Sequence, residues 1–212
     1  MLIAFIVLAA IVLLWSLWGY FTSHVEQTVY TVVKKTSTYE IREYPAHIVA
    51  QTTVPGSLDA SMNAGFSIVA GYIFGNNKKK ENIAMTAPVI ARTGSEENSS
   101  TTIAMTAPVI ATNSGESHTI SFGMPASYTL DTLPTPLDPR VELVMIPTKY
   151  YAVKQFSWYR TDTRIKQLQE ELLANLTHDG IVAKGSPAYA GYNAPGTPPW
   201  MTRNEVMVEI TY

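Results

Sequence analysis

The 212 residues carry 15 basic and 17 acidic side chains, a balance that offers no basic groove for nucleic acid and leaves room for one ordinary domain plus an appendage. The absence of cysteine excludes disulfides, thiolate metal sites, a CxxC redox pair and covalent c-type haem attachment, so packing alone must hold the fold. Apolar residues make up 46% of the chain, enough to build a core.

The first element is a different material from the rest. From Leu2 to Phe21 there is no charged side chain, and about 20 helical residues at roughly 1.5 Å each match a hydrocarbon layer of roughly 30 Å. A cleaved secretory signal would show a basic start, a shorter apolar core and small residues at a cleavage site, and none of these stands out. Trp15, Trp18 and Tyr20 gather at the far end, where amphipathic rings favour the headgroup layer. The pattern predicts a retained single-pass membrane anchor over 1–22, a juxtamembrane linker over 23–37 and a domain over 38–212. Lys34 and Lys35, the first basic side chains, lean the C-terminal side toward the cytoplasm without fixing the side of the membrane.

The domain carries two repeats. YEIREYPAHIVAQTTV from Tyr39 aligns with VELVMIPTKYYAVKQF from Val141, matching Glu40 to Glu142, Pro45 to Pro147 and Ala50 to Ala152. Each reads as strand, proline turn, strand, and each is followed by a helical stretch. In the first helix Leu58, Met62, Phe66, Val69 and Ile73 recur at spacings of three and four, with Ser57 as N-cap and Gly75-Asn76-Asn77 as stop. In the second, Ile165, Leu168, Leu172, Leu173 and Leu176 form the stripe, Thr161 or Asp162 caps it and Gly180 ends it. Further strand-like runs lie at Thr119–Met124, Ile181–Lys184 and Val206–Thr211, and LPTPLDP from Leu133 is a stiff connection between the halves. The expected fold is α+β, a mixed or mostly antiparallel sheet built from two ββαβ-type halves and flanked by two helices. The other repeat is unchanged between copies: IAMTAPVIA at Ile83–Ala91 recurs at Ile103–Ala111, each copy a short strand with its proline at an edge or bulge. RTGSEENSSTT between them marks an exposed turn, so an added hairpin is expected.

YEIREYPA near Tyr39, the MTAPV core of both nonapeptides, SYTLDTLPTPLDPRVEL from Ser127 and GYNAPGTPPWMTRNEVMVEI from Gly191 resemble, in the same order, the signatures of the SOUL haem-binding proteins. The resemblance covers about Tyr39 to the C-terminus, and plant-type members share the doubled MTAPV segment. It implies a distorted barrel of two pseudo-symmetric halves with a helix on each, related to gyrase-inhibitor-like effector-binding domains. It also implies non-covalent binding of haem or another tetrapyrrole, mostly through apolar contacts at the first domain helix.

On that resemblance Met62, Phe66, Val69 and Ile73 are expected to wall the pocket, because a flat apolar macrocycle gains about 25 cal/mol per Å² buried against such side chains. The plainer alternative is an ordinary core stripe. Tyr192, Trp200 and Glu205 sit in the strongest block, the aromatics at a pocket mouth and Glu205 where related effector-binding domains place a pocket carboxylate. Glu205 paired with Arg203 is the structural alternative. Glu43 stands where some members have a histidine, so that axial ligand is missing. His24, His47, His118 and His178 show no metal-site pairing, and His47 is expected to point outward. The first helix offers Asp59, Asn63 and Ser67 rather than a basic clamp for propionates, with Lys78, Lys79 and Lys80 as the nearest substitutes. No nucleophile elbow, phosphate loop or metal constellation is present, so a non-enzymatic binding module is expected. The alternatives are a small-molecule effector-binding domain or a hydrolase using paired carboxylates such as Glu43 and Glu205.

Overall fold

The computed structural model describes residues 1–22, 26–79, 100–114, 116–193 and 196–212. An N-terminal helix α1 (Leu2–Thr22) leads through β1 (Glu26–Gln27), β2 (Thr31–Lys35), β3 (Glu40–Tyr44) and β4 (His47–Pro55) to α2 (Leu58–Ile73). Then come β5 (Asn77–Lys78), β6 (Thr106–Ala107), β7 (Val109–Ser114), β8 (Ser117–Gly123), β9 (Thr135–Pro136), β10 (Glu142–Ile146) and β11 (Lys149–Phe156). Helix α3 (Asp162–His178), β12 (Ala183–Gly191), a single 3-10 turn (Pro199–Met201) and β13 (Asn204–Ile210) complete the chain.

Nine strands form one antiparallel sheet in the order β10-β4-β8-β7-β12-β13-β11-β3-β2. Apart from β2 the order reads as a palindrome, with β3, β4, β8 and β7 of one half standing where β10, β11, β13 and β12 stand in the other. The repeat seen in the sequence is therefore a two-fold axis, and each half contributes two strands after its helix. Its centre is the pair of proline corners. Gln51 faces Glu142 and His47 faces Ile146 on one side, while Tyr44 faces Lys149 and Glu40 faces Val153 on the other. The register continues through Pro45 and Pro147 without an inserted residue, so two bent ribbons pair along their whole length and curl the sheet toward a barrel. The stretch expected as a linker is partly built into the fold: β2 pairs with β3 and β1 runs parallel to β6. The β-branched start of TVVKK favours a strand, but backbone pairing at an exposed edge leaves it without apolar alternation.

Both helices lie on the convex face and start where their caps require. The Ser57 hydroxyl accepts from Ala60 N at the head of α2, and Thr161 does the same for Arg164 N at the head of α3, each cap contributing about 1 kcal/mol. Val69, Tyr72 and Ile73 of α2 and Leu172 of α3 are fully enclosed, each worth roughly 2 kcal/mol of burial. Gly65 lets α2 settle onto β8, since a Cβ there would lie 2.4 Å from Ile120 Cγ1. The LPTPLDP connection is pinned across the far end of α2, where β9 pairs with β5 and Tyr72 donates to the Pro134 carbonyl at 2.9 Å. On β13, Val206, Val208 and Ile210 face the helices while Glu205, Met207 and Glu209 face the concave interior.

Candidate functional site

The apolar stripe of α2 divides in two. Val69 and Ile73 belong to the closed core, whereas Met62 and Phe66 form one wall of a cleft of 250 Å³. Val109 from β7 and Tyr189 and Gly191 from β12 line the same cleft, and Arg160, from the loop before α3, completes it. The cleft runs on into a second space of 340 Å³ bounded by Trp158, Tyr159, Gly196, Thr197 and Pro199, and the two share Asn63, Arg160, Tyr189, Gly191 and Asn193. Phe66 is held by a tilted ring contact with Phe122 at 5.4 Å. Tyr189 is fixed by its hydroxyl, which donates to Asn204 Oδ1 at 2.6 Å, and burial pushes its pKa up to about 12. Arg160 reaches Asp59 at 3.3 Å and lies 5.8 Å from the Tyr189 ring centroid. Such a half-exposed pair is worth about 0–1 kcal/mol, so a carboxylate on a ligand can replace Asp59 at little cost. The arrangement suits a flat apolar body with an anionic edge.

A second cluster lies on the concave face. Glu205 is 0% exposed and accepts from Arg42 Nη1 at 2.9 Å, from Arg203 Nη2 at 2.7 Å and Nε at 3.0 Å, and from the Tyr192 hydroxyl at 2.7 Å. Arg42 is 2% exposed, also donates twice to Glu40, and stacks over Tyr30 at 4.3 Å. Burial opposes the Arg42 charge, but Glu205 beside it prevails and the guanidinium is raised above its ordinary value. The Tyr192 phenol is likewise raised, by burial first and then by the Glu205 charge. The Tyr44 hydroxyl is buried in the same cluster, beside Arg42 and Tyr192. Every oxygen of Glu205 is thus engaged by the protein itself. Next to this cluster the concave face opens into a cavity of 430 Å³ lined by Val49, Ile110, Tyr151 and Met207.

The family model described as SOUL heme-binding protein matches residues 25–209. The chain belongs to the SOUL family. Human heme-binding protein 2 is 30% identical over 161 residues, 74% of this chain and 71% of that protein. Among solved structures, the C-terminal domain of EcmrR superposes with a TM-score of 0.54 at 9% identity, covering 86% of this chain and 98% of that one. A hydrolase from Listeria innocua superposes with a TM-score of 0.53, also at 9% identity, covering 84% and 94%. At such identity these two likenesses speak to the fold alone.

The SOUL motifs land on both faces of the sheet. YEIREYPA supplies β3, the corner and Arg42, and the second MTAPV copy supplies β6 and the cleft residue Val109, while the first copy lies outside the described residues. From the C-terminal block, Gly191, Asn193 and Gly196 line the clefts, but Tyr192 turns to Glu205. Trp200 stands apart from both, edge-on to Trp15 of α1 at 5.2 Å. Glu43 faces Tyr150 on the convex side of the sheet, the opposite side from Arg42 and Glu205. Glu43 and Glu205 therefore do not share a pocket and cannot act together as a carboxylate pair. His47 shares the concave face with Val49, its Nδ1 2.8 Å from the Pro45 carbonyl oxygen, and neither His118 nor His178 lines the cleft. Lys78 sits in β5 at the far end of α2, and Lys80 lies outside the described residues. Arg160 was not legible in the sequence, because it precedes the N-cap Thr161 in a loop with no period. Tyr189 and Gly191 were no more legible, since AKGSPAYAG shows no alternation of apolar and polar residues.

Proposed function

We propose that this SOUL protein binds haem or another tetrapyrrole non-covalently in the cleft beside α2 and holds it at a membrane through α1, as a carrier, buffer or sensor without chemistry of its own. The observation that carries the reading is the joining of two clefts along α2, with Met62 and Phe66 as apolar wall, Tyr189 as floor and the Arg160 guanidinium at the rim. Family membership supplies the ligand class, and the human relative is named for haem. These residues suit a porphyrin without an axial histidine: apolar contact holds the ring, and Arg160 stands where a propionate would replace Asp59. The anchor rests on Leu2–Tyr20, 19 residues of mean hydropathy 2.6, almost wholly uncovered by the rest of the chain.

The test is haemin titration of the full chain in lipid nanodiscs, followed by absorption. The reading expects a saturable Soret band at micromolar haemin that weakens in Met62→Ser and in Arg160→Ala. No spectral change at micromolar ligand would overturn it. The 430 Å³ concave cavity favours a second reading, an amphipathic organic effector bound inside the sheet. Under that reading a hydrophobic dye competes with haemin, and Ile110→Trp blocks both while Met62→Ser blocks neither.

A further inference from the structure

The clefts and the apolar helix meet at one segment. Gly196 accepts a hydrogen bond from Trp15 Nε1 at 2.8 Å and packs under Trp18, and Trp200 meets Trp15 edge-on. Gly19 lies so close to Pro198 that a Cβ would sit 2.6 Å from its ring, so the last turns of α1 are fitted to this loop rather than merely near it. Trp15 is seven residues before the end of α1, about 10 Å along the helix axis. If α1 spans, whatever touches Gly19, about 5 Å before that end, lies near the bilayer boundary, and whatever touches Trp15 dips below it. GTPPWM, residues 196–201, has no charged side chain.

The same surface continues through Trp158 and Tyr159, which are 53% and 68% exposed. Trp158 has a φ of 75°, a conformation a bulky residue adopts only when its surroundings impose it. Here they do: its N–H donates to the Pro199 carbonyl at 3.0 Å, also lies 3.0 Å from Thr202 Oγ1, and its carbonyl accepts from Asn204 Nδ2 at 3.3 Å. Backbone strain is thus used to turn an indole outward, beside the 196–201 loop. Arg160 and Arg164 flank the two aromatics, the pairing of rings and guanidinium groups that headgroup phosphates favour.

We propose that the domain rests on the bilayer through residues 196–201, Trp158 and Tyr159, so that the mouth of the cleft opens at the headgroup layer, where an apolar ligand dissolved in lipid reaches it without crossing water. This rests on the reading of α1 as a retained anchor. Occupancy of this face by lipid follows from its continuity with α1 and from the aromatic rim that Trp158, Tyr159, Gly196 and Pro199 give to the cleft.

The cysteine-free chain allows single labels to be placed cleanly. Val7→Cys, Tyr159→Cys and Leu137→Cys are each made in the full chain, labelled with an environment-sensitive fluorophore and reconstituted in phosphatidylcholine–phosphatidylglycerol vesicles containing nitroxide lipids. Leu137 is 59% exposed and its N–H bonds to Asn76 at the opposite end of α2, about 20 Å from the cleft mouth. The inference expects acyl-chain nitroxide to quench Val7 and headgroup nitroxide to quench Tyr159, with most of the emission lost in each, and Leu137 to keep its emission. Quenching at Val7 with none at Tyr159 overturns the orientation while the anchor stands, and a blue-shifted, unquenched Tyr159 label means that protein covers the face. Equal quenching at Tyr159 and Leu137 means that the domain has no fixed orientation, which also overturns it. No quenching at Val7 removes the anchor itself.

Discussion

Glu205→Gln separates a structural role for this carboxylate from a ligand-binding one. The side chain keeps its shape but loses the charge that two guanidinium groups share, Arg42 at 2.9 Å and Arg203 at 2.7 Å. Breaking a buried pair by removing one partner costs about 3–5 kcal/mol. The low end applies, since Arg42 retains Glu40 at 2.8 Å and Arg203, 24% exposed, can be rehydrated. With about 3 kcal/mol lost, and roughly 2–4 °C per kcal/mol for a domain of this size, the Tm falls by roughly 6–12 °C. The assay is thermal unfolding of the full chain by circular dichroism, run beside a haemin titration below the transition. The account expects a lower Tm with haemin affinity unchanged. An unshifted Tm with weakened haemin binding would refute it and make Glu205 a ligand group.

Arg160→Ala is expected to weaken haemin binding about tenfold, the worth of roughly 1.4 kcal/mol of charge-assisted contact, while leaving the affinity for haemin dimethyl ester alone; titrating both ligands checks it. Gly65→Ala drives a methyl into Ile120 and should destabilise the fold by about 1–3 kcal/mol, read as a lower urea midpoint. Tyr39, Tyr72, Tyr151 and Tyr189 have pKa values pushed up to about 12, and those of Tyr44 and Tyr192 are also raised, by burial first in every case. A phenol raised on folding stabilises fully below its ordinary value near 10, and this contribution is lost as pH climbs through the folded value. Tyrosinate absorbance should therefore show these phenols ionising late and together with the loss of near-ultraviolet dichroism; early ionisation at intact dichroism would contradict the packing.

Local chemistry was what the sequence displayed best. Ser57 announced the start of α2, and Thr161 or Asp162 that of α3; the structure caps the helices at Ser57 and Thr161. Pro45 and Pro147 announced the two-fold, because a proline corner in matching places of two strand pairs can be read without knowing their partners. Pairings across long separations were not displayed. Arg42 and Glu205 lie 163 residues apart, and nothing in their neighbourhoods distinguishes a buried ion pair from two exposed charges. The α2 stripe was legible as apolar, but its division into core at Val69 and Ile73 and cleft wall at Met62 and Phe66 depends on how α2 lies across β4 and β8 and leaves space beside β7 and β12. Arg160 entered the cleft for the same kind of reason, through the fold rather than through its neighbours in sequence.

Hydrogen exchange of the full chain in nanodiscs, with and without haemin, tests the location of the ligand most directly. The account predicts new protection at residues 60–67, 158–160 and 189–193, around the α2 cleft. Protection confined to residues 110–112, 149–151 and 207–209, on the concave face, would contradict it.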